Sequence, residues 1–367
     1  MKRALVLLIA IPAIWLLFHL LSDGAVLTAG NMVNLFKYLS VVGILAAGMT
    51  LVIGAGNIDL SVGSLLGFLG AVNALLLAAG WPLTAALIAS ALIGLAAGML
   101  HGGLTAFLRV PSFIVTLSGL LAYMGLKQYL ANPVIPLRDE HLIQLGQGYL
   151  QGSAAWLIVT GVVGTLWIVT FLTRRDSGRG NLKEAIRNFG SASLVTAGLF
   201  GMVAVATQDR GIPYSVLALG VAGLVCHFIA QKTRAGRYAF ALGSNPEAAR
   251  YAGVPVRGIL VLTFALMGLM AWLAGLVATS QLMAGAADIG DQQELYAIAA
   301  CVLGGTSLRG GSGNVWMSIL GALLMASILN GMEQMGIAST IQKIILGLIL
   351  VAAVAADQWT RRKERHG

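Results

Sequence analysis

The sequence predicts an all-α, polytopic membrane protein, and three observations predict it. Of its 367 residues, 58% are hydrophobic and only 10% are charged, against about 25% charged in a soluble domain. So few charges cannot cover a soluble surface, and lipid must solvate much of the chain. The apolar residues gather in runs near the length of about 20 that crosses a hydrocarbon core as a helix. The basic residues collect in alternate connecting segments, as cytoplasmic loops do.

The expected spans run 4–21, 33–54, 61–79, 83–104, 112–131, 154–173, 191–206, 214–232, 259–281, 294–304, 315–331 and 337–356. The first follows Met1-Lys2-Arg3 and reads as an uncleaved helix, because no small-x-small site follows it and Ser22-Asp23 leads on to more spans. Gly and Pro recur inside the spans, which membrane helices tolerate. The segment 294–304 is too short to cross alone and ends in Gly304-Gly305, so a broken or re-entrant helix is expected there. The architecture is thus one transmembrane domain over 1–367 with about 10–12 transmembrane segments. The longest patterned polar insertion is 233–258.

With the N-terminus inside and spans alternating, one face receives Lys2, Arg3, Arg109, the basic stretch 174–188, Lys232, Arg234, Arg237, Arg250, Arg257, Arg309 and the tail from Arg361 to Arg365. The other keeps Lys37, Lys127, Arg138, Arg210 and Lys343, with Asp139, Glu140, Asp209, Asp288, Asp291 and Glu294 in its loops. Lys37, Lys127 and Lys343 are expected toward the outer ends of their spans. Both termini are then cytoplasmic. The net charge of +9 is a topology signal, and no nucleic-acid partner is expected. Cys226 and Cys301 lie in apolar stretches and read as small buried residues, without disulfide or metal spacing.

A short internal similarity appears at an offset of 248, where Gly56, Leu60, Gly63 and Ser64 recur as Gly304, Leu308, Gly311 and Ser312. Related halves are common in transporters.

The stretch Gly243–Val254 reads as a short helix in the polar insertion. Asn245 suits the N-cap, Pro246 the first helical position, Glu247 the positive end of the dipole, and Gly253 the stop. Ala248, Ala249 and Ala252 offer a low face to another protein. On the residues alone this is either a docking element or an ordinary capped loop helix.

Glu247-Ala248-Ala249, three residues, then Gly253 resembles the EAA loop of permeases from ATP-driven (ABC) importers. The stretch Gly236–Gly253 is similar to the sugar branch of that family, and the Ile-x-Leu-Pro extension of the longer motif is missing here. Ile58–Ser64, Val110–Leu117 and Cys301–Gly313 resemble three further signatures, and the likeness covers most of 30–356. It implies a coupling role for Asn245, Pro246, Glu247, Ala248, Ala249, Arg250 and Gly253 against an ATPase subunit. It also implies a periplasmic sugar-binding protein, a second permease copy, and no cofactor on this chain; ATP and Mg belong to the partner. No Gly-Lys dipeptide occurs, so a phosphate-binding P-loop is excluded, and no catalytic set stands out. The extra material at 154–232 and the run Glu294–Cys301 resemble the xylose type within the sugar branch. D-xylose is therefore the expected cargo, with ribose or a sugar-like signal as alternatives. An ion-gradient-driven transporter is the rival from another class.

Asp59, Ser61, Gly63, Gly304, Gly305, Gly310 and Gly311 are gate or hinge candidates. Asp59 follows a long apolar span, so it must be bonded or interfacial. Capping the helix that begins near Ser61 satisfies it, and substrate contact is the alternative. The glycine pairs permit either bending or close static packing. A sugar path needs hydroxyls and amides. Asn73, Ser118, Tyr123, Gln128, Gln281, Asn330 and Gln334 are candidates, each also readable as a helix-packing polar residue.

Overall fold

The computed structural model describes residues 2–176, 193, 196, 198 and 200–366. Much of the expected span 191–206, and Arg179, Lys183 and Arg187 of the basic stretch, lie outside the described residues. The helices are α1 (Lys2–Leu21), α2 (Ala29–Gly54), α3 (Val62–Ala78), α4 (Leu83–Phe107), α5 (Ser112–Leu130), α6 (Glu140–Gln147), α7 (Gly152–Asp176), α8 (Tyr214–Lys232), α9 (Arg234–Ser244), α10 (Pro246–Tyr251), α11 (Val256–Leu282), α12 (Gln293–Leu303), α13 (Val315–Gln334) and α14 (Ser339–His366). Six of these, α2, α4, α5, α8, α11 and α13, are long and apolar enough to cross a membrane alone. Further apolar helices, α3 and α12 among them, are shorter. The all-α expectation holds except for two tiny antiparallel pairs. β1 (Ile135–Pro136) pairs with β4 (Ala284–Gly285), and β2 (Tyr149–Leu150) with β3 (Ile212–Pro213).

Helix α2 is the centre of the bundle. Nearly all of it is buried, and α8, α11, α12 and α13 pack around it. Helix α1 lies on α13, where the Trp15 indole donates to Ser327 Oγ at 2.7 Å. Helices α4 and α11 approach through small residues. Gly94, Gly98 and Gly102 form a stripe at every fourth position of α4, and each faces the backbone of α11. Without side chains between them, the two backbones gain van der Waals contact that lipid cannot offer. Gly275 of α11 meets α3 at Leu66 and Gly70 in the same way.

The stretch after α11 departs from expectation. Residues 284–292 were expected in an outer loop, yet Gly285 packs on Ala71 and Ala74 while Gly290 packs on Gly63. The segment therefore runs in largely non-helical form along α3 from its end back to its start. Glu294, also expected in that loop, is buried beside Gly63. Lys127 lies in the last turn of α5, at the end of its span as expected, but is wholly buried and explains the path: its ammonium donates to the Ile289 carbonyl at 2.9 Å and ion-pairs with Asp291. Backbone leaves helical form inside a membrane bundle only where protein satisfies its polar groups. The 11 residues of α12 span only about 16 Å at 1.5 Å per residue, too short to cross a hydrocarbon core alone.

The structure does not follow the internal similarity at its expected offset, but two helix ends near it share one geometry, one residue out of that register. At the end of α2, Gly56 N donates to Ile53 O and Asn57 N to Val52 O. At the end of α12, Gly305 N donates to Val302 O and Thr306 N to Cys301 O. Gly56 (φ +81°) thus corresponds to Gly305 (φ +86°) rather than Gly304. Both are left-handed glycine helix stops of one kind.

Candidate functional site

Three chain turns meet at one end of the bundle. Gly311 N donates to the Gly54 carbonyl at 2.9 Å. Gly310 packs on the backbone of Gly243 and Gly56, and Gly311 on Ser244. Gly243 is so enclosed that a Cβ there would strike the Gly54 carbonyl and the Gly311 and Gly56 amides. The Phe240 ring of α9 covers Gly54. The turn after α2, the turn before α13 and the end of α9 are therefore joined backbone to backbone. Most of these contacts are backbone to backbone, with only the Phe240 ring and Ser244 among them as side chains.

Helix α10 hangs from this junction. Asn245 is its N-cap and accepts the Ala248 N–H at 3.0 Å, with Pro246 in the first turn. Gly253, φ +79°, follows its end. The face expected to meet a partner is corrected in one respect. Ala249 points inward onto Ala55, Ala239, Leu242, Val254 and Ile259. Pro246, Glu247, Ala248, Arg250, Tyr251 and Ala252 are exposed, and Tyr251 is 91% so. The helix thus has an anchoring side and a free side that centres on Glu247 and Tyr251.

Asp59 lies buried in the turn between α2 and α3. Its Oδ1 accepts the Ser61 N–H at 2.9 Å and the Ser61 hydroxyl at 2.6 Å. The N-cap of α3 is Ser61, without a side-chain cap bond, so Asp59 braces the turn before the helix rather than capping it. His101 of α4 joins them, with Nδ1 3.4 Å from Ser61 Oγ and Nε2 3.2 Å from the Tyr123 hydroxyl. Gly63 is a close-packing position, where a Cβ would strike the Glu294 carboxylate and the Gly290 carbonyl.

A cavity of about 640 Å³ occupies the opposite half of the bundle, between α2, α11, α13 and α6. Of the path candidates, Gln281, Asn330 and Gln334 line it, while Asn73, Ser118, Tyr123 and Gln128 do not. Ser118 and Gln128 are exposed on the outside of α5, and Asn73 is wholly buried in α3. The cavity residues that sequence reading missed are Asn34, Lys37, Tyr38, Gln147, Gln293 and Glu333.

The family model "Branched-chain amino acid transport system / permease component" matches residues 31–354. The chain belongs to this family. The permease is 39% identical to the xylose transport system permease protein XylH of Escherichia coli (strain K12), covering 98% of this chain and 93% of that protein. It is 37% identical to the XylH of Haemophilus influenzae (98% and 96% covered) and 32% identical to the ribose import permease protein RbsC of Escherichia coli K12 (90% and 86% covered). No solved structure matches.

Within the permease, the predicted coupling residues and four predicted glycines fall into one assembly. Gly310 and Gly311 touch α9 directly, while Gly304 and Gly305 turn the chain toward them. Gly54 and Gly243 complete it. Their signal was only a glycine at each turn, and glycine is common here, with 47 in the chain.

Proposed function

We propose that this permease is the membrane-spanning subunit of an ATP-driven monosaccharide importer of the inner membrane, with D-xylose as cargo. The observation that carries the reading is the junction of Gly54, Gly243 and Gly311, from which the capped helix α10 projects with Glu247 exposed. An ATPase subunit docked on α10 moves this junction, and the junction moves α2, α12 and α13 around the cavity. Likeness to xylose permeases along 98% of the chain supports the cargo. ATP and Mg are used by the ATPase, both termini are cytoplasmic, and a periplasmic sugar-binding protein delivers substrate to a dimer of permeases.

The buried Lys127, Asp59 and Glu294 favour one second reading, a transporter driven by an ion gradient. Uptake of D-xylose into proteoliposomes holding the permease, its ATPase and its binding protein separates the two. ATP-dependent, vanadate-sensitive, ionophore-indifferent uptake is expected. Uptake that ignores ATP and collapses with ionophore overturns the proposal. In the same system Glu247→Arg is expected to leave ATP hydrolysis and abolish uptake; normal transport by this variant removes α10 from the mechanism.

A further inference from the structure

We infer, on the importer reading, that His101 is a positioning residue for coupling. Through its ring the turn between α2 and α3 grips α4, so that a movement of α10 reaches the α11 wall of the cavity as well as α12 and α13.

This branch starts beneath α10. Ala249 and Ala55 share one buried cluster. Ala55 opens the turn 55–61, which leaves the junction at Gly56, against Gly243 and Gly310. The turn is not helical, and Asp59 and Ser61, both buried, close its far end. The Ser61 hydroxyl donates to Asp59 Oδ1 at 2.6 Å. It has one proton, so toward His101 it can only accept. That fixes the tautomer of the neutral ring. Nδ1–H donates to Ser61 Oγ, 3.4 Å away, and Nε2 accepts the Tyr123 hydroxyl at 3.2 Å. The hydrogen bonds therefore run one way, from Tyr123 of α5 through His101 of α4 to the carboxylate of the turn.

The ring sits in a notch shaped for it. His101 is 3% exposed, and a Cβ at Gly119 of α5 would come within 2.7 Å of Nε2. Helix α5 also reaches the turn without the ring, through the Thr116 hydroxyl on the Ile58 carbonyl at 3.3 Å. The link that the ring decides is the one to α4. From there the path is backbone on backbone: Gly98 and Gly102 of α4, on either side of His101 in sequence, abut α11. Helix α11 in turn carries Ala278 and Gln281 to the cavity wall.

The test uses proteoliposomes holding the full-length permease, its ATPase and its binding protein, with D-xylose uptake and ATP hydrolysis measured on one preparation. His101→Leu keeps a similar bulk and removes both polar contacts. Hydrolysis is expected to stay close to wild type while uptake per ATP falls about fivefold or more, the lower end of what coupling between sites is worth. His101→Asn puts an amide N–H where Nδ1–H stands and is expected to restore most of the loss. Tyr123→Phe removes one oxygen and leaves the ring stacked on Phe68. It is expected to lower coupling in wild type and to add nothing in His101→Leu, because both changes break one chain. Wild-type coupling in His101→Leu overturns the inference, and so does equal loss in the Leu and Asn variants. A ring that only holds the fold together lowers hydrolysis and uptake alike and leaves their ratio unmoved, which also overturns it. If His101→Leu does not assemble, Tyr123→Phe decides: normal uptake per ATP overturns the inference and a lowered ratio upholds it. Wild-type uptake that ignores ATP overturns the importer reading, and the inference with it, before any variant is compared.

Discussion

Lys127 of α5 reaches across the bundle to Asp291, and on the way its ammonium takes the Ile289 carbonyl at 2.9 Å. The pair is lopsided: the Lys127 side chain is wholly buried, whereas that of Asp291 is 57% exposed. Asp291→Asn strands a buried cation, at a cost that reaches about 3–5 kcal/mol when both partners are buried and is smaller here. Lys127→Met leaves a half-exposed carboxylate that water still solvates, and one carbonyl without its donor. Asp291→Asn is therefore expected to lower the melting temperature in detergent at least as much as Lys127→Met, and the double variant less than the two effects summed. Simple additivity sinks the idea that the pair holds the segment.

The junction predicts a contrast between two glycines ten residues apart in sequence. Gly243→Ala forces a Cβ into three backbone groups of the neighbouring turns, none of which can rotate away. Gly253→Ala meets open space and pays only the left-handed backbone cost of about 1–2 kcal/mol. Measured as D-xylose uptake per ATP hydrolysed, Gly243→Ala is expected to lose most of its coupling and Gly253→Ala little. Equal effects contradict the junction.

Asn245 offers a milder perturbation of the same element. Asn245→Ala removes the bond to the Ala248 amide, worth about 1 kcal/mol to the helix, and Asn245→Asp keeps an acceptor there. Binding-protein-stimulated ATPase activity is expected to fall several-fold in the first and to persist in the second. No difference between them means that α10 does not need its cap.

Much of the fold was legible in the sequence because one rule, the apolar run of helical length, governs most of it. The span 214–232 coincides with α8, and the ends of α3 and α5 are met within a residue. The cap at Asn245 and the stop at Gly253 were legible because capping is local chemistry. The path of 284–292 was not. Asp288, Asp291 and Glu294 look like loop residues, and nothing near them in sequence announces that Lys127, far upstream, will pull the segment inside. The cavity escaped for a similar reason: Lys37 and Gln147 gain meaning only when α2 and α6 meet. The glycine stripe of α4 was open to view as a four-residue spacing, and only its partner α11 was hidden.

That stripe yields a further contrast. A Cβ at Gly98 would run into the Phe264 carbonyl and Ala265 on α11, whereas one at Gly103, on the same helix, meets nothing. Gly98→Ala is expected to be destabilising and to lower thermal stability clearly. Gly103→Ala is expected to be neutral or to gain up to about 1 kcal/mol from helix propensity. Comparable melting temperatures for the two variants exclude the close crossing of α4 and α11.

Helix α2 ends up almost wholly walled in by protein, yet it emerges from the ribosome long before α11, α12 and α13 exist to wall it in. It must wait in lipid. That interval explains why a helix so deeply buried in the finished molecule keeps a composition fit for a bilayer. When its late neighbours arrive, hydrocarbon is exchanged for side chains that are just as apolar, so greasiness cannot drive the exchange. Shape must do it: Leu219, Met270 and Phe240 settle into the notches at Gly43, Gly48 and Gly54. Assembly of this permease is then a matter of fit, and the rate at which those notches are filled sets how long the half-made bundle stands exposed to quality control.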